Sequence, residues 1–380
     1  MRIKILLLTL LGGFLPFLHA QVTLPPSGGN QKAEVAQWMG LVEVRVTYNS
    51  PDVHDPKGMD RTGHIWGELV PFGLANLNFG NSTAENPSPW RAGANENTVF
   101  QCSHDILVEG NKLPAGKYGL HMIPGESDWT VIFNRDYSAW GSYFYDEKKD
   151  VLRVTVKPES SNYTEWLTYG FTDRLLDECT LNLEWENLRL PIHLSVENIH
   201  ELYVESLQKE LQGQAGFNYL NYVSAVNYCV QVNSHLELAL KWAEKAINEP
   251  FVGQKNFTTL TTKANVLLAM GRSKEATKIY MNAIDLPDAQ VFAIHNLGRQ
   301  LIQMGDPDLA LEIFKANAKR FPDQWPVNVG LMRGYSAKGN YEKALKYAEA
   351  ALKNVPEGDL LNLENIRSSI QRLKQNQDIN

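Results

Sequence analysis

The sequence contains 380 residues, of which 43% are hydrophobic, and it carries a formal net charge of -7 at pH 7. A chain of this length typically forms about two domains. Its acidic balance is unfavourable for binding a polyphosphate backbone, so we predict no nucleic-acid partner.

The first twenty residues are typical of a secretory signal peptide. Arg2 and Lys4 form a positive start, residues 5–18 are apolar, and Ala20 ends a small-residue cleavage site. An uncleaved N-terminal anchor is the alternative, although the apolar run is short for a bilayer span. We therefore predict an exported protein, periplasmic or extracellular, with no transmembrane segment after cleavage. Removal of residues 1–20, which hold two cations and no acid, would change the charge from -7 to -9.

Three cysteines bear on the same question of compartment. In an oxidising compartment, Cys102 and Cys179 are candidates for a disulfide, because both lie in strand-like runs that can face each other across a sheet. The alternative is free, buried thiols that pack as small apolar residues. Cys229 lies inside a helical pattern. The sequence has no Cys-x-x-Cys pair and its histidines are scattered, so we predict no metal and no cofactor.

Residues 41–194 show the period of two that is typical of half-buried β-strands. Apolar side chains at Val42, Val44 and Val46 alternate with polar ones, and several later runs behave in the same way. Turn-forming Gly, Pro and Asn residues separate these runs. We predict an antiparallel β-sandwich-like domain over residues 38–194, preceded by an N-terminal segment at 21–37.

The period changes to 3.6 after Ser195, which we expect to cap a linking helix over residues 195–216. Farther along the chain, Gly271, Gly305 and Gly339 are spaced by 34 residues. The same step relates a set of alanines: Ala276, Ala310 and Ala344. A glycine suits the turn between two helices, and alanines suit positions where helices approach closely. The sequence therefore predicts repeated helix pairs.

The stretch GNYEKALKYAEAALKNVP at 339–356, together with the 34-residue spacing, resembles the tetratricopeptide repeat. The resemblance implies an α-solenoid of four helix pairs over residues 217–375, closed by a capping helix whose apolar stripe runs from Leu360 to Leu373. The earliest pair is the weakest copy, with Ser234 where the turn glycine is expected.

Stacked helix pairs present the first helix of each pair to a concave groove. Transfer of the repeat's groove positions to this sequence implies thirteen groove-lining residues: Asn221, Ser224, Tyr228, Thr258, Thr261, Asn265, Phe292, His295, Arg299, Gln303, Val329, Arg333 and Ser336. We predict six of them as partner contacts: Asn265, His295, Arg299, Gln303, Arg333 and Ser336. Arg299 and Arg333 are 34 residues apart, so we expect their guanidinium groups to lie side by side, where they can bind a carboxylate of a peptide. The alternatives are a solvated polar face and a groove that docks against the β domain.

Polar residues are concentrated in the stretch PWRAGANENTVF at 89–100. Four of them are candidate ligand contacts: Trp90, Arg91, Asn95 and Glu96. Arg91 can bind a ligand carboxylate or pair with Glu96, and Trp90 offers an apolar or sugar-stacking face. Gly93 and Asn95 suit unusual backbone conformations. The alternative is a structural turn whose polar side chains satisfy buried backbone groups.

Four stretches of the β domain are distinctive in combination: RTGHIWGELVPFG, WRAGANENT, LPAGKYGLHMIPGESDWTVIFN and WGSYFYDEKKDVLRVTVKP. Together they resemble an exported bacterial family, the domain of unknown function numbered 2911, over residues 38–190. The resemblance implies an extracytoplasmic β domain with no assigned activity. The chain departs from the family pattern at residues 74–89, an insertion just before the second stretch.

These features favour an exported cell-envelope binding and scaffold protein. The helical groove would bind a protein or peptide, and the β domain would bind a small ligand or another partner. The alternative is a hydrolase-like enzyme with Arg91, Glu96 and a strand histidine, His104 or His121, in one open cleft. We assign no catalytic residue, because the usual nucleophile and metalloprotease motifs are absent from the sequence.

Overall fold

A computed structural model of the chain describes residues 29–55, 57–322 and 324–380. The predicted signal peptide therefore lies outside the described residues. The chain divides into two compact units, which meet in sequence at Ile199 and His200. Within the described ranges, no helix combines the length and the apolar character that a membrane span requires.

In its described residues, the first unit forms ten antiparallel strands in two sheets, which confirms the predicted antiparallel β architecture. The strands are β1 (Gln31–Met39), β2 (Val42–Ser50), β3 (Thr98–Cys102), β4 (Ile106–Val108), β5 (Asn111–Leu113), β6 (Gly116–Ile123), β7 (Trp129–Asn134), β8 (Asp150–Val156), β9 (Glu159–Thr172) and β10 (Glu178–Ser195). The larger sheet has the order β1-β2-β3-β6-β7-β8, and the smaller has the order β5-β4-β10-β9.

The apolar alternation of the strands forms the core between the two sheets. In β2, Val42, Val44 and Val46 are fully buried, and burial of each such side chain contributes roughly 1.5–3 kcal/mol. Tyr48 of β2 meets Tyr169 of β9 edge to face, with ring centroids 4.9 Å apart. This contact joins one strand of each sheet, so the sheets pack face to face as in a sandwich.

Strand β10 is one long strand, although its apolar positions change parity along the sequence. Leu183 before the change and Leu190 after it are both buried. Glu186 lies between them at φ 55°, and the register with β9 shifts there. The pairing is irregular on both sides of Glu186, and the buried apolar positions of β10 are odd-numbered before it and even-numbered from Leu190 onward.

Strand β1 begins at Gln31, inside the segment 21–37 that the sequence places before the β domain. It pairs with β2 along its whole length, from Gln31 opposite Ser50 to Met39 opposite Val42. Met39 is the one buried residue among the nine of this strand. An edge strand with so little burial has no clear period of two, so its start was not visible in the sequence.

The cysteines do not form the disulfide considered from the sequence, because all three thiols are free and buried. Cys102 lies in β3, opposite Val44 and Gly116 of the larger sheet. Cys179 lies in β10 of the smaller sheet. The two are therefore not neighbours across one sheet. The Cys102 thiol instead donates a hydrogen bond to the carbonyl of Pro114 at 3.3 Å.

The second unit contains a linking helix, four helix pairs and a final helix. The helices are α1 (Ile199–Glu210), α2 (Tyr219–Gln231), α3 (Leu236–Asn248), α4 (Phe257–Ala269), α5 (Ser273–Ile284), α6 (Val291–Gln303), α7 (Pro307–Arg320), α8 (Trp325–Ala337), α9 (Tyr341–Asn354) and α10 (Leu360–Lys374). The pairing of consecutive helices follows the predicted repeat. Gly271, Gly305 and Gly339 all have positive φ at the turn within a pair, as the 34-residue spacing predicts.

Two turns at the start of this unit differ from the sequence predictions. In the first pair the left-handed positions are Asn233, at φ 49°, and His235, at φ 53°, and not Ser234. The loop to α3 is one residue longer than in the later pairs, and an asparagine tolerates this conformation better than other non-glycine residues. Ser195 does not cap the linking helix, because it is the last residue of β10. Helix α1 begins only at Ile199, after Asn198 at φ 56°.

Phe314 of α7 brings helices α6 and α8 close together. Its ring is fully buried and faces Gly298 of α6. A Cβ atom placed on Gly330 of α8 would lie 2.5 Å from the same ring. Small residues at these two positions let both helix backbones approach the phenyl ring. The consequence is that residues on α6 and α8 that point toward the groove lie near one another.

Candidate binding sites

The groove side of α6, α8 and α10 contains a cavity of about 330 Å³, which we call the helical cavity. It is lined by Phe292, His295, Asn296, Arg299, Trp325, Pro326, Val329, Met332, Arg333, Asn362, Asn365, Ile366 and Ser369. Three of the six predicted groove residues are in this set. The cavity therefore brings His295, Arg299 and Arg333 together, as the repeat spacing predicts.

The two arginines make the helical cavity positive. Arg299 is exposed, whereas Arg333 is half buried. Burial and the nearby charge of Arg299 lower the pKa of Arg333, and Asp378 acts in the opposite direction. None of the lining residues just named is acidic. A carboxylate that enters the cavity would relieve the repulsion between the two guanidinium groups.

His295 supports the wall of the helical cavity without adding charge. It is 8% exposed, and its ring packs against Phe314 at 5.6 Å between centroids. Burial, followed by the charges of Arg333 and Arg299, lowers the pKa of His295 to about 4. The imidazole is therefore neutral at pH 7, and the positive charge of the cavity comes from the arginines.

The segment 376–380 covers the end of the groove that Ser336 was predicted to present to a partner. Ser336 is buried, and its hydroxyl donates a hydrogen bond to Asp378 at 2.7 Å. The backbone N–H of Ile379 donates to the same hydroxyl at 3.2 Å. Asn380 accepts a hydrogen bond from Arg333 at 3.4 Å. Ser336 is thus occupied by the chain itself.

The other two predicted groove residues lie outside the helical cavity. Asn265 is buried on α4, where it accepts a hydrogen bond from the hydroxyl of Tyr280 at 2.6 Å. It lines a separate cavity of about 480 Å³ together with Thr258 and Thr261. Gln303 is exposed near the end of α6 and lines neither cavity. The groove therefore contains two separate cavities. The one that Arg299 and Arg333 make positive lies at the last two helix pairs and α10.

The β unit contains a cavity of about 340 Å³, which we call the β cavity. It is lined by Asn30, Pro51, Arg61, Leu69, Val70, Pro71, Gly73, Ala75, Leu77, Ser88, Pro89, Trp90, Arg91, Gly93, Ala94, Asn95, Ser142 and Trp185. Three of the four predicted ligand contacts, Trp90, Arg91 and Asn95, are among them. The insertion at 74–89 supplies part of the wall, through Ala75, Leu77, Ser88 and Pro89.

Four tryptophans from distant parts of the sequence meet at the base of the β cavity. Trp66 contacts Trp129 at 5.0 Å, Trp185 at 5.6 Å and Trp90 at 5.8 Å between ring centroids, each edge to face. Trp90 and Trp185 are nearly parallel, with centroids 6.4 Å apart. Both of these rings line the cavity, so its base is a rigid aromatic surface.

Arg91 is held in a defined position in the wall of the β cavity. Its Nη1 donates a hydrogen bond to the carbonyl of Asn95 at 2.6 Å. Its guanidinium carbon lies 5.0 Å from the centroid of the Tyr143 ring. Asn95 takes positive φ, as predicted, and so does Ala92. Gly93 has no positive φ. It is required because a Cβ there would lie 2.7 Å from the Thr98 hydroxyl.

Glu96 does not belong to the β cavity, and it does not pair with Arg91. Its Oε2 accepts a hydrogen bond from the side-chain amide of Asn49 at 2.7 Å. The ring of His104 forms a hydrogen bond with the hydroxyl of its neighbour Ser103. The buried ring of His121 forms one with the hydroxyl of Ser142 at 2.9 Å. The arrangement that the hydrolase hypothesis requires, Glu96 and a histidine in one open cleft, is therefore not formed. Across the described ranges, no three His, Cys, Asp or Glu side chains converge as metal ligands would.

Sequence reasoning identified Phe292 and Trp90 and missed the other aromatic residues at the two cavities. Trp325 pairs with Phe292 at 6.0 Å in the helical cavity, and Trp185 forms the base of the β cavity. The polar face of α10, with Asn362, Asn365 and Ser369 at spacings of three and four, was visible as the side opposite the apolar stripe. No comparable local signal connects the tryptophans, because they are brought together only by the packing of the two sheets.

Comparisons with known proteins address the two units separately. Residues 30–194 match the model of DUF2911, a family described as protein of unknown function. No curated protein sequence matches the chain.

Solved structures of tetratricopeptide-repeat proteins match the helical region. One is the C-terminal part of a TPR repeat-containing protein from Cytophaga hutchinsonii, with 16% identity, a TM-score of 0.31, and coverage of 45% of this chain and 65% of that chain. This chain thus spans slightly less than two thirds of that one. Another is a thermophilic TPR protein of Thermus thermophilus, with 13% identity, a TM-score of 0.29, and coverage of 44% and 89%. A third is a tetratricopeptide repeat protein from Parabacteroides merdae, with 17% identity, a TM-score of 0.29, and coverage of 46% and 69%. The chain therefore joins a region that matches the DUF2911 family, at residues 30–194, to a helical region similar to tetratricopeptide-repeat proteins.

Proposed function

We propose that the protein is an exported cell-envelope scaffold whose helical unit binds an acidic segment of another protein. The observation that carries this proposal is the pair Arg299 and Arg333 in a cavity whose lining holds no acidic residue. The chain as a whole is acidic, so a positive cavity is a local feature. It is suited to select a negative group from a partner.

The remaining lining of the helical cavity fits a peptide. Phe292 and Trp325 form an edge-to-face pair that offers an apolar surface beside the arginines. Asn296 and Asn365 add side-chain amides that can donate to and accept from a peptide backbone. A segment that carries one carboxylate and one apolar side chain would use both kinds of surface.

A matched pair of peptide pools tests the proposal. The probes are fluorescein-labelled hexapeptides rich in Asp and Glu and their counterparts rich in Asn and Gln. We expect the acidic pool to bind more tightly. A hydrogen bond to a charged group is worth about 1.5–3 kcal/mol, so Arg299→Gln is expected to weaken binding of the acidic pool roughly 10- to 100-fold.

Arg272→Gln is the matched control. Arg272 is also exposed, but it pairs with Glu275 on the surface at 2.8 Å and lies outside the cavity. This variant is expected to bind the acidic pool as the unchanged protein does. Equal binding of the two pools, or an Arg299→Gln variant with unchanged affinity, would rule out the arginine pair as the recognition element.

Export is the second part of the proposal, and the residues that support it are Arg2, Lys4 and the apolar run at 5–18. Expression in a bacterial host, followed by fractionation and N-terminal sequencing, tests it. We expect the mature chain to begin at Gln21 and to leave the cytosolic fraction. A cytosolic protein that retains Met1 would contradict export and would leave the peptide-binding result unaffected.

A further inference from the structure

The β cavity combines apolar walls with a single cation that lacks a counterion. Within the described ranges, Arg91 takes part in no ion pair, and none of the residues that line the cavity is acidic. The other lining cation, Arg61, is already engaged by Asp52 at 3.2 Å and by the carbonyl of Val53 at 3.1 Å. Arg91 is therefore the group that an incoming anion would meet.

We propose that the β cavity binds a small organic monocarboxylate, with its carboxylate on Arg91 and its apolar body against Trp90 and Trp185. Nη1 of Arg91 is occupied by the carbonyl of Asn95, which leaves Nε and Nη2 as donors. These two nitrogens form the side of a guanidinium that binds a carboxylate through two parallel hydrogen bonds. The apolar residues of the wall lower the local dielectric constant and so strengthen this interaction.

The polar groups of the cavity argue against a sugar. Asn30 donates to Asn95 at 3.1 Å, and Ser142 is bonded to His121 at 2.9 Å. These side chains therefore already form hydrogen bonds within the protein, whereas a sugar needs several donors and acceptors that are free to bind it. The cavity also has only one unpaired cation for a ligand, which suits the single charge of a carboxylate better than the charge of a phosphate monoester.

The position of Arg91 is fixed before any ligand arrives. A Cβ atom on Gly141 would lie 2.5 Å from Nη1 of Arg91, so a glycine is needed for this close packing. The Tyr143 ring covers another side of the guanidinium. A cation held in this way loses little conformational freedom on binding. The charge of Arg91 also reaches His121, where it adds to burial in lowering the pKa to about 4.

The insertion at 74–89 forms part of the wall of the β cavity. Ala75 and Ser88 pair through backbone hydrogen bonds of 2.9 and 2.8 Å, which close the insertion into a loop. Ala75, Leu77 and Pro89 then line the cavity. Part of the apolar wall therefore comes from this loop, and the ligand class that we infer depends on it.

Tryptophan fluorescence of the full chain tests the inference, since Trp90 and Trp185 line the cavity. The probes are 4-phenylbutyrate and octanoate, with 4-phenylbutyramide and octanamide as neutral counterparts. We expect a saturable change with both acids and at least tenfold weaker binding of both amides. Arg91→Gln is expected to weaken acid binding at least tenfold and to leave amide binding unchanged.

Three further variants separate the possible outcomes. Ala75→Phe fills the cavity without touching Arg91 and is expected to abolish binding of both acids, which covers the case in which Arg91→Gln does not fold. Arg91→Lys keeps the charge and is expected to retain part of the preference for acids. Arg272→Gln, in the helical unit and outside both cavities, is expected to leave acid binding unchanged. No saturable acid binding, equal binding of acids and amides, or loss of acid binding in Arg272→Gln would each overturn the inference.

Discussion

The two cavities share a charge pattern and differ in their walls. Each contains arginine and no acidic residue among its lining, in a chain whose net charge is -7. Prolines and tryptophans surround Arg91 in the β cavity, whereas amides and one aromatic pair surround Arg299 and Arg333 in the helical cavity. An apolar wall requires an apolar ligand body, and an amide-rich wall suits a peptide backbone. We therefore expect the same cation to select different carboxylates in the two places.

The cavities also differ in how their residues are brought together. In the helical unit, a step of 34 residues places Arg299 and Arg333 on neighbouring helices, and Phe314 holds these helices close. In the β unit, the packing of two sheets brings together tryptophans that are up to 119 residues apart, from Trp66 to Trp185. Repeat geometry builds the first site, and sheet topology builds the second. Loss of helix packing should therefore disrupt the first site, and loss of sheet packing should disrupt the second.

The largest expected effect is a loss of stability in the helical unit that leaves the β unit unchanged. Phe314→Ala removes a fully buried ring between α6 and α8 and should destabilise the helical unit by about 3–5 kcal/mol. Amide hydrogen exchange followed by mass spectrometry reports each unit separately. We expect faster exchange in α6 to α8 and unchanged exchange in the β strands. Equal loss of protection in both units would contradict the independence of the two structures.

The matching change in the β unit is Trp185→Ala. Trp185 is 1% exposed. Its removal should cost about 3–5 kcal/mol and should take away the ring that packs against Trp66 and Trp90. Exchange should rise in β10 and β7 but not in the helices, and the binding of 4-phenylbutyrate should be lost. Retention of that binding would show that the aromatic base does not contribute to the β cavity.

A smaller effect, dependent on pH, is expected in both units. His121 and His295 have folded-state pKa values lowered to about 4, chiefly by burial, whereas an unfolded histidine has a pKa of about 6.5. Between these values the unfolded state binds one more proton per histidine. For each histidine, the free energy of unfolding therefore keeps its full value above pH 6.5. It decreases by about 2 kcal/mol between pH 7 and pH 5.

His121→Gln and His295→Gln test this dependence. In each variant, the stability of the unit that holds the substitution should no longer show this histidine's contribution to the pH dependence. Exchange rates at pH 7 and pH 5 measure the change. In the unchanged protein, the imidazole resonances of these two residues should stay in the neutral form down to about pH 4. Titration of either residue near pH 6.5 would contradict its burial as a neutral group.

Local sequence patterns predicted the strands and helices. Most other features of the structure depend on packing between residues that are distant in sequence. The alternation in β2 and the 34-residue step were readable because they depend on neighbouring or regularly spaced residues. The same regularity placed Arg299 beside Arg333. The change of parity at Glu186, by contrast, depends on one residue with positive φ in the middle of a strand. It looks in the sequence like a boundary between two strands.

Candidate sites were predicted only as far as one segment or one repeat could show them. Trp90, Arg91 and Asn95 were found because they lie in one short stretch, but the same stretch also suggested Glu96, which bonds Asn49 instead. Ser336 fits the groove pattern of the repeat, yet Asp378 and Ile379 cover it. Both errors come from partners that are distant in sequence, which no local pattern reveals.

The central claim is that the arginine of each cavity selects its own carboxylate ligand. The most direct measurement titrates Arg91→Gln and Arg299→Gln with both probes, 4-phenylbutyrate and the acidic peptide pool. We predict that Arg91→Gln loses 4-phenylbutyrate and keeps the peptides, whereas Arg299→Gln loses the peptides and keeps 4-phenylbutyrate. If either variant loses both ligands, or if neither variant loses any, the claim is contradicted.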